Sequence, residues 1–334
     1  MKILVVGSID QSPFIQTDID KLLTFCKVDT VNFNGTLDKD ALFHQYLVII
    51  KTIIFDLFPK SFNNDVIYVW FADVPAFFCL IFSKLFGKKL IVVLGGYEVC
   101  NMPEINYGLQ RENNIRSKIS RFVLRNTDHC IVPSSSYYKR TLPYSDKDKL
   151  VLLPTCGKAM HPEKIVKENY IVMVGNATDR DYLLKGIPQY DELASKINVR
   201  CFLIGNYDED IRRKYHHIEY LGHVSHEDVI YIMSKAKIYC QLSYTESFGI
   251  SILEAMSVGC IPVVSGVDNI KNFVTDDIPG LCVDAQNFDI NEIHKLLMIK
   301  PSDYIEKIIS NARSIITETC NKRKEGLKEL AGAK

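Results

Sequence analysis

The sequence predicts an α/β protein with two parallel-sheet domains, and three features carry that expectation. Short β-branched runs recur along the chain with helical stretches between them, which is the pattern of βαβ units. The runs fall into two sets. A length of 334 residues also exceeds what one hydrophobic core ordinarily organises and suits two domains of about 150 residues each. Hydrophobic residues make up 47% and charged residues 24%, the balance of a globular chain.

The first set of strand-like runs lies at 3–7, 28–33, 66–71, 90–94, 130–133 and 151–153. The second lies at 171–175, 199–205, 239–242 and 261–264. Each is a short apolar run bounded by polar or glycine residues, as expected of strands buried in a parallel sheet. Between the sets, Pro154-Thr155-Cys156-Gly157-Lys158-Ala159-Met160-His161-Pro162-Glu163 reads as a hinge, because Pro and Gly interrupt it and a charged stretch follows. The expected division is therefore 1–158, 159–310 and a closing helical segment, 311–334. Two such domains would place the carboxyl ends of their strands across a cleft, where open α/β sheets take their ligands.

Two segments raise the membrane question. The segment 42–58 is interrupted by His44, Gln45, Lys51 and Asp56, and 74–86 is shorter than the roughly 20 residues a spanning helix needs. The second carries Phe77, Phe78, Leu80, Ile81, Phe82, Leu85 and Phe86, with Lys84, Lys88 and Lys89 at its end. That pattern fits an interfacial helix or one buried against a sheet, and burial is the reading adopted. The residues Arg111, Lys118, Arg121 and Arg125 would share one helix face if 111–125 is helical, a face suited to solvent or to anionic headgroups.

Composition excludes several classes. Lys plus Arg and Asp plus Glu both total 40, which argues against a dedicated nucleic-acid binder. The ten cysteines, from Cys26 to Cys320, form no C-x-x-C pair, so neither a zinc cage nor a disulfide framework is indicated. The amino terminus enters a strand-like run directly, without a signal-peptide h-region, so a reducing cytoplasm is the expected compartment. His216, His217, His223 and His226 match no metal-binding helix spacing. Asp-x-Asp occurs at 18/20, 146/148, 179/181 and 208/210, which shows how little that pattern means.

The most informative stretch is Glu246-Ser247-Phe248-Gly249-Ile250-Ser251-Ile252-Leu253-Glu254, followed by Ala-Met-Ser-Val-Gly-Cys-Ile-Pro-Val-Val. The run 238–243 is a strand and 251–258 has helical composition, so Glu246 lies just past a strand end and Glu254 lies within the next helix. A turn at Gly249 leading into a helix presents free N–H groups and a positive dipole end to an anionic or polyhydroxylated ligand. This segment resembles the E-x7-E motif of retaining glycosyltransferases of the GT-B fold, in particular glycosyltransferase family 4, the glycosyl transferases group 1. The resemblance is strong over 220–284 and diffuse over the amino-terminal half.

The resemblance implies an α/β GT-B architecture of two Rossmann-like domains. The first would serve the acceptor, the second the nucleotide-sugar donor, and the last helix would cross back to the first. It implies that Glu246 touches the donor sugar and Glu254 the ribose, with the backbone of Phe248, Gly249 and Ile250 near sugar and phosphate. In the family, a Gly-Arg, a short loop and then Lys-Gly neutralise the departing diphosphate. Here Lys185-Gly186 fits, Asn176 stands at the Arg position, and Arg180 is the candidate substitute. Gly7 and Ser8 fall where the family brings backbone amides to donor phosphate, without a G-x-G-x-x-G fingerprint. Tyr220-Leu221-Gly222-His223-Val224 resembles the segment passing the base, and Ser225 with Asp228 approximates a capping box. Gly95 stands where many relatives have a His. Glu98, or alternatively Asp73, would then orient or deprotonate an acceptor hydroxyl.

The expected activity is transfer, with anomeric retention and no metal, from a nucleotide diphosphate-sugar, UDP- or GDP-linked, to a glycan, lipid-linked or small-molecule hydroxyl. The nucleotide-sugar is a co-substrate, no other cofactor is expected, and no nucleic acid is a partner. Peripheral contact with the inner face of a membrane is compatible with this reading. Two alternatives stay open: a GT-B nucleotide-sugar epimerase, and a degenerate nucleotide-binding protein without catalysis.

Overall fold

The computed structural model describes residues 1–33, 48–158, 160, 166–275 and 277–332. The expected hinge residues Ala159 and His161–Glu163, and positions 42–47 of the apolar segment 42–58, lie outside them. The chain divides into two compact units. One comprises Met1–Pro103, Gly108–Cys156 and Cys320–Lys334, and the other Glu104–Tyr107 and Gly157–Thr319.

Unit 1 is built on a six-stranded, all-parallel sheet of order β2-β1-β3-β4-β5-β6. Its strands are β1 (Lys2–Gly7), β2 (Lys27–Asn32), β3 (Val66–Trp70), β4 (Lys89–Val93), β5 (His129–Val132) and β6 (Leu150–Leu152). The helices between them are α1 (Pro13–Leu22), α2 (Phe58–Asn63, preceded by a π-helical turn Thr52–Leu57), α3 (Val74–Phe86), α4 (Ile115–Asn126) and α5 (Ser135–Thr141). Side chains alternate across a strand, so Ile3, Val5, Tyr68, Trp70, Ile91 and Val93 share one face. They pack against Ile15, Ile19 and Leu22 of α1 and against Leu327 and Leu330.

Local chemistry sets the helix ends. The Asp73 carboxylate accepts from Val74 N at 2.8 Å and Gly87 ends α3 at φ +63°. Asn114 Oδ1 accepts from Ser117 N at 2.9 Å and starts α4 at Ile115. Arg111 therefore lies outside that helix, paired with Glu112 at 2.9 Å, and the expected four-residue basic face does not form. The burial expected of α3 is also only partial. Ala76, Cys79, Leu80 and Ser83 face inward, while Ile81 and Leu85 are exposed, because small residues on one narrow stripe suffice to seat a helix on a sheet.

Unit 2 carries the second six-stranded parallel sheet, β12-β11-β10-β7-β8-β9. Its strands are β7 (Glu168–Val174), β8 (Arg200–Ile204), β9 (Glu219–Gly222), β10 (Ala236–Gln241), β11 (Ile261–Ser265) and β12 (Leu281–Val283). The helices are α6 (Ile187–Lys196), α7 (Glu209–Lys214), α8 (His226–Lys235), α9 (Ile250–Ser257) and α10 (Ile290–Met298). The expected strands recur here, and β9 and β12 are additions. Both lie at sheet edges, are four and three residues long, and are only partly buried. They therefore have no need of the apolar run that marks a central strand. The chain winds outward from β7 through β8 to β9, then returns to the other side of β7 as β10. The reversal between β7 and β10 is a topological switch point, the place where such sheets bind ligands.

The 27-residue helix α11 (Ile305–Ala331) ends the fold, and its segment from Cys320 belongs to unit 1. The stretch reads as polar in sequence, yet Arg323 is fully buried. Its Nε and Nη2 donate to the two Asp18 carboxylate oxygens at 2.9 and 2.6 Å, Nη2 also meets Tyr68 Oη at 2.9 Å, and Nη1 donates to Leu153 O at 3.1 Å. Such full satisfaction is what allows a buried charge pair to be tolerated. Among the described residues, no helix is long and apolar enough to cross a membrane.

Candidate functional site

The switch point of unit 2 brings together residues far apart in sequence. After β7 the chain makes a tight turn, Lys185 N donating to Asp181 O at 2.9 Å, and Gly186 follows at φ +71°. A Cβ at Gly186 would lie 2.1 Å from Leu242 O, so only glycine lets this turn rest against the end of β10. Tyr244 N closes the contact by donating to Leu184 O at 2.9 Å. Lys185 is thereby laid over Gly175, with its Cγ and Cδ 3.3 Å from the position of a Cβ there.

Lys185 Nζ reaches Glu246 Oε1 at 2.6 Å, the two side chains being 22% and 11% exposed. The same oxygen accepts from Ser243 Oγ at 2.9 Å and from Gln241 Nε2. Behind it, Tyr239 Oη donates to Gln241 Oε1 at 2.6 Å and contacts Ser251 Oγ at 2.9 Å. Tyr239, Gln241 and Ser243 recur at every second position, so a row of polar groups along β10 and the two residues beyond it supports Glu246 from below. The backbone of Glu246 is held as well. Its N–H donates to Asp268 Oδ2 at 2.9 Å, and Thr245 Oγ1 reaches the same atom at 2.6 Å. Asp268 itself sits at φ +51°. A hollow of about 460 Å³ lies alongside, lined by Ser243, Tyr244, Ser265, Asp284 and Gln286 among others.

The other expected residues take the following places. Phe248 is buried and packs edge-on to Phe273 at 5.7 Å, and Gly249, at φ +84°, caps α9 so that Ile250 opens the helix. Glu254, one turn into α9, meets His226 Nε2 at 3.2 Å. That hydrogen bond raises the His226 pKa above its ordinary value, against partial burial and the charge of Lys158. Ser225 caps α8, its Oγ accepting from Asp228 N at 3.1 Å. Asn176 Oδ1 accepts from Asn206 N at 3.1 Å, and Arg180 forms a bidentate pair with Asp181, both bonds 2.9 Å. Lys185, Glu246 and the start of α9 are thus assembled at the carboxyl ends of β7 and β10, and Arg180 is engaged by its neighbour in sequence.

Unit 1 holds the remaining candidates. Gly7 ends β1 against Ile15 and Trp70, and Ser8 Oγ donates to Phe33 O at 2.9 Å. Glu98 is buried, and its carboxylate accepts from Gly96 N at 2.7 Å, Gly95 N at 3.1 Å and Ala72 N at 3.3 Å. Burial pushes its pKa up while these backbone amides pull the other way. Asp73 is an N-cap held by Arg116 Nε, at 2.9 Å to each oxygen. At Gly95 a Cβ would lie 2.3 Å from the Phe71 ring, so aromatic carbon fills the space a side chain there would need. Phe71 adopts φ +71°, a conformation rare for a bulky residue and one that marks functional or over-determined positions.

Sequence reasoning missed the row Tyr239, Gln241 and Ser243, whose period-2 polar pattern was the available signal, as well as Asp268, His226 as a partner of Glu254, and Phe71. Among the described residues no group of three or more His, Cys, Asp or Glu side chains is arranged to hold a metal ion.

Comparison with known proteins bears on this geometry. Residues 159–314 match the family described as Glycosyl transferases group 1. O-antigen chain mannosyltransferase B of Escherichia coli is 36% identical over 98 residues, covering 29% of this chain and 25% of that protein. A phosphatidylinositol N-acetylglucosaminyltransferase polypeptide of Arabidopsis thaliana is 27% identical over 227 residues, covering 62% of this chain and 50% of that one. The chain thus spans a quarter to a half of the length of these curated relatives. Among solved structures, Anabaena Alr3699/HepE in complex with UDP and glucose superposes with a TM-score of 0.75 at 15% identity, covering 99% of this chain and 100% of that one. With the E-x7-E segment set at the β7/β10 switch point of a Rossmann-like unit, residues 159–314 carry the match to the glycosyl transferases group 1 family, and the whole chain has the GT-B fold of its structural neighbours.

Proposed function

We propose that the protein transfers a sugar from a nucleotide diphosphate-sugar, UDP- or GDP-linked, to a hydroxyl of a glycan or lipid-linked acceptor, with retention of anomeric configuration and without a metal. The observation that carries this reading is the Lys185–Glu246 pair at 2.6 Å, set at a topological switch point beside the amino terminus of α9. A diphosphate placed there meets the helix dipole and competes with Glu246 for Lys185. Glu246, released in part, accepts hydrogen bonds from sugar hydroxyl groups. As the glycosidic bond breaks, charge gathers on the departing diphosphate, and Lys185 holds it more strongly than in the ground state. Glu254, steadied by His226, takes ribose hydroxyls. Retention is the family's stereochemistry, and Glu246 has no covalent role in this scheme.

Unit 1 is proposed to receive the acceptor and unit 2 the donor. Glu98 acts as a positioning residue. Its carboxylate is buried and accepts from three backbone amides, so it shapes the Gly95-Gly96 loop and acts on an acceptor hydroxyl through that loop. Gly7 and Ser8 remain proposed donor-phosphate contacts through their backbone. Arg180 reaches a phosphate only by leaving Asp181.

The neighbour crystallised with UDP and glucose makes UDP-glucose the first donor to test. Incubation of the full chain with UDP- and GDP-sugars and a panel of glycan and lipid-linked acceptors should yield glycosylated product and free nucleoside diphosphate. Glu246→Ala should abolish most of that yield with its fold intact by circular dichroism. An epimeric nucleotide-sugar as the product, or unchanged donor after prolonged incubation with every acceptor, would contradict the transferase reading.

A further inference from the structure

The segment before β3 and the helix after it expose apolar side chains on the same side of unit 1. In 52–63, Ile53, Leu57 and Ser61 point inward, while Ile54, Phe55, Phe58 and Phe62 point outward, Phe55 being 73% and Phe62 62% exposed. In α3, Ile81 and Leu85 are exposed, Leu85 to 64%. The rings of Phe58 and Phe62 pack edge-on to Phe82 and Phe86 at 5.3 to 5.4 Å, so the two outward faces form one continuous patch. An amphipathic helix ordinarily turns such residues toward the core. Here two neighbouring helices turn them toward solvent, and patches of this kind mark interaction sites.

The charge around the patch identifies its occupant. Residues 48–63 and 74–88 carry four lysines, Lys51, Lys60, Lys84 and Lys88, against a single carboxylate, Asp56, in a chain that is neutral overall. Lys60 meets Asp56 at 3.4 Å, and Lys84 meets Asp128 of the neighbouring strand turn at 3.2 Å. Even with both carboxylates counted, the excess is positive. Phenylalanine and leucine on a face with lysines at its rim is the composition of a surface that dips into a lipid headgroup layer. The core of a protein–protein interface is instead depleted of lysine.

We propose that this face docks unit 1 onto an anionic lipid bilayer, with Phe55, Phe58, Phe62 and Leu85 entering the headgroup layer and the lysines meeting lipid phosphate. The proposal goes beyond the transferase reading and does not depend on it, because it is read by partition of the chain onto lipid and not by turnover.

The test is sedimentation of the full chain with phosphatidylcholine vesicles, with and without phosphatidylglycerol. The wild type is expected to pellet with the anionic vesicles, and less so as salt rises. Phe55→Ser/Leu85→Ser should lower the partition about tenfold or more, since each side chain withdraws a burial worth more than a factor of ten. Lys51→Glu/Lys88→Glu, which leaves the apolar face untouched and serves as a second variant if the first folds poorly, should lose binding to the anionic vesicles selectively. A wild type that stays in the supernatant with anionic vesicles, or variants that bind as well as it does, would overturn the proposal. So would a concentration-dependent dimer that the Phe55→Ser/Leu85→Ser change abolishes without lipid, which would assign the face to a second copy.

Discussion

Two carboxylate–cation pairs, one in each unit, close to the same 2.6 Å, Asp18–Arg323 and Lys185–Glu246, and they serve different ends. Arg323 and Asp18 are 0% and 2% exposed, and every polar atom of the arginine fork finds a protein acceptor. Lys185 and Glu246 are 22% and 11% exposed and stand at the carboxyl end of a sheet. The first pair is closed to any newcomer and fastens α11 to unit 1. The second has one side toward solvent, so its partners can be exchanged for those of a ligand. Distance alone does not separate the pair that fastens the fold from the pair proposed to meet a ligand. Saturation and place in the topology do.

Breaking the closed pair should have the largest effect on stability. Arg323→Met leaves Asp18 buried without its cation and is expected to lower unfolding free energy by about 3–5 kcal/mol, read by urea denaturation. Asp18→Leu/Arg323→Met should recover much of that loss, and an equally unstable double variant would show that the pair itself carries the stability. Lys185→Met should do the reverse, costing less stability than Arg323→Met because Ser243 and Gln241 still hold Glu246, while lowering the transfer rate about 10²–10³-fold, as loss of one group that stabilises transition-state charge does. A variant of normal turnover would remove Lys185 from the chemistry.

The strand-end region of unit 1 offers a sharper contrast. Gly95→His would drive a side chain into the Phe71 ring and should destabilise unit 1 by about 1–3 kcal/mol without raising activity. If it folds normally and gains turnover, the Phe71 ring is a replaceable filler and not a constraint. The smallest effect concerns His226. Its raised pKa means that the pairing with Glu254 contributes fully below about pH 6.5, the ordinary histidine value. The contribution is lost as pH rises through the folded value. With the histidine nearly half-exposed, the pair is worth little, but the ring is observable. An NMR titration should place His226 above the ordinary value in the wild type and return it toward that value in Glu254→Gln.

The two units also differ in how far they can be read from the chain. Central parallel strands are buried on both faces and must be apolar, so β1, β3, β7 and β11 are visible as runs. The edge strands β9 and β12 bear no such requirement and are not. The E-x7-E segment is legible because a strand end, a glycine turn and a helix start follow each other directly. The groups that support it are not, since Asp268 and His226 arrive from elements 22 and 28 residues away. Arg323 reads as part of a polar, basic tail, and nothing local announces a partner 305 residues distant. Gly95 and Asn176 are visible as departures from the family pattern. Their physical sense, a ring filling the space at Gly95 and a side-chain bond to Asn206 at Asn176, requires the fold.

The central claim is that the carboxyl end of β7 and β10 in unit 2 is a nucleotide-sugar site. The most direct test is ligand-induced thermal stabilisation with UDP-, GDP-, ADP-, CMP- and dTDP-sugars, since a ligand at a hundred times its Kd adds about 2.7 kcal/mol to stability. The account predicts a shift with one nucleotide class, with UDP-glucose tried first, that is weakened in Glu254→Ala and in Lys185→Met. No shift with any of these donors, or a shift indifferent to both substitutions, would contradict it.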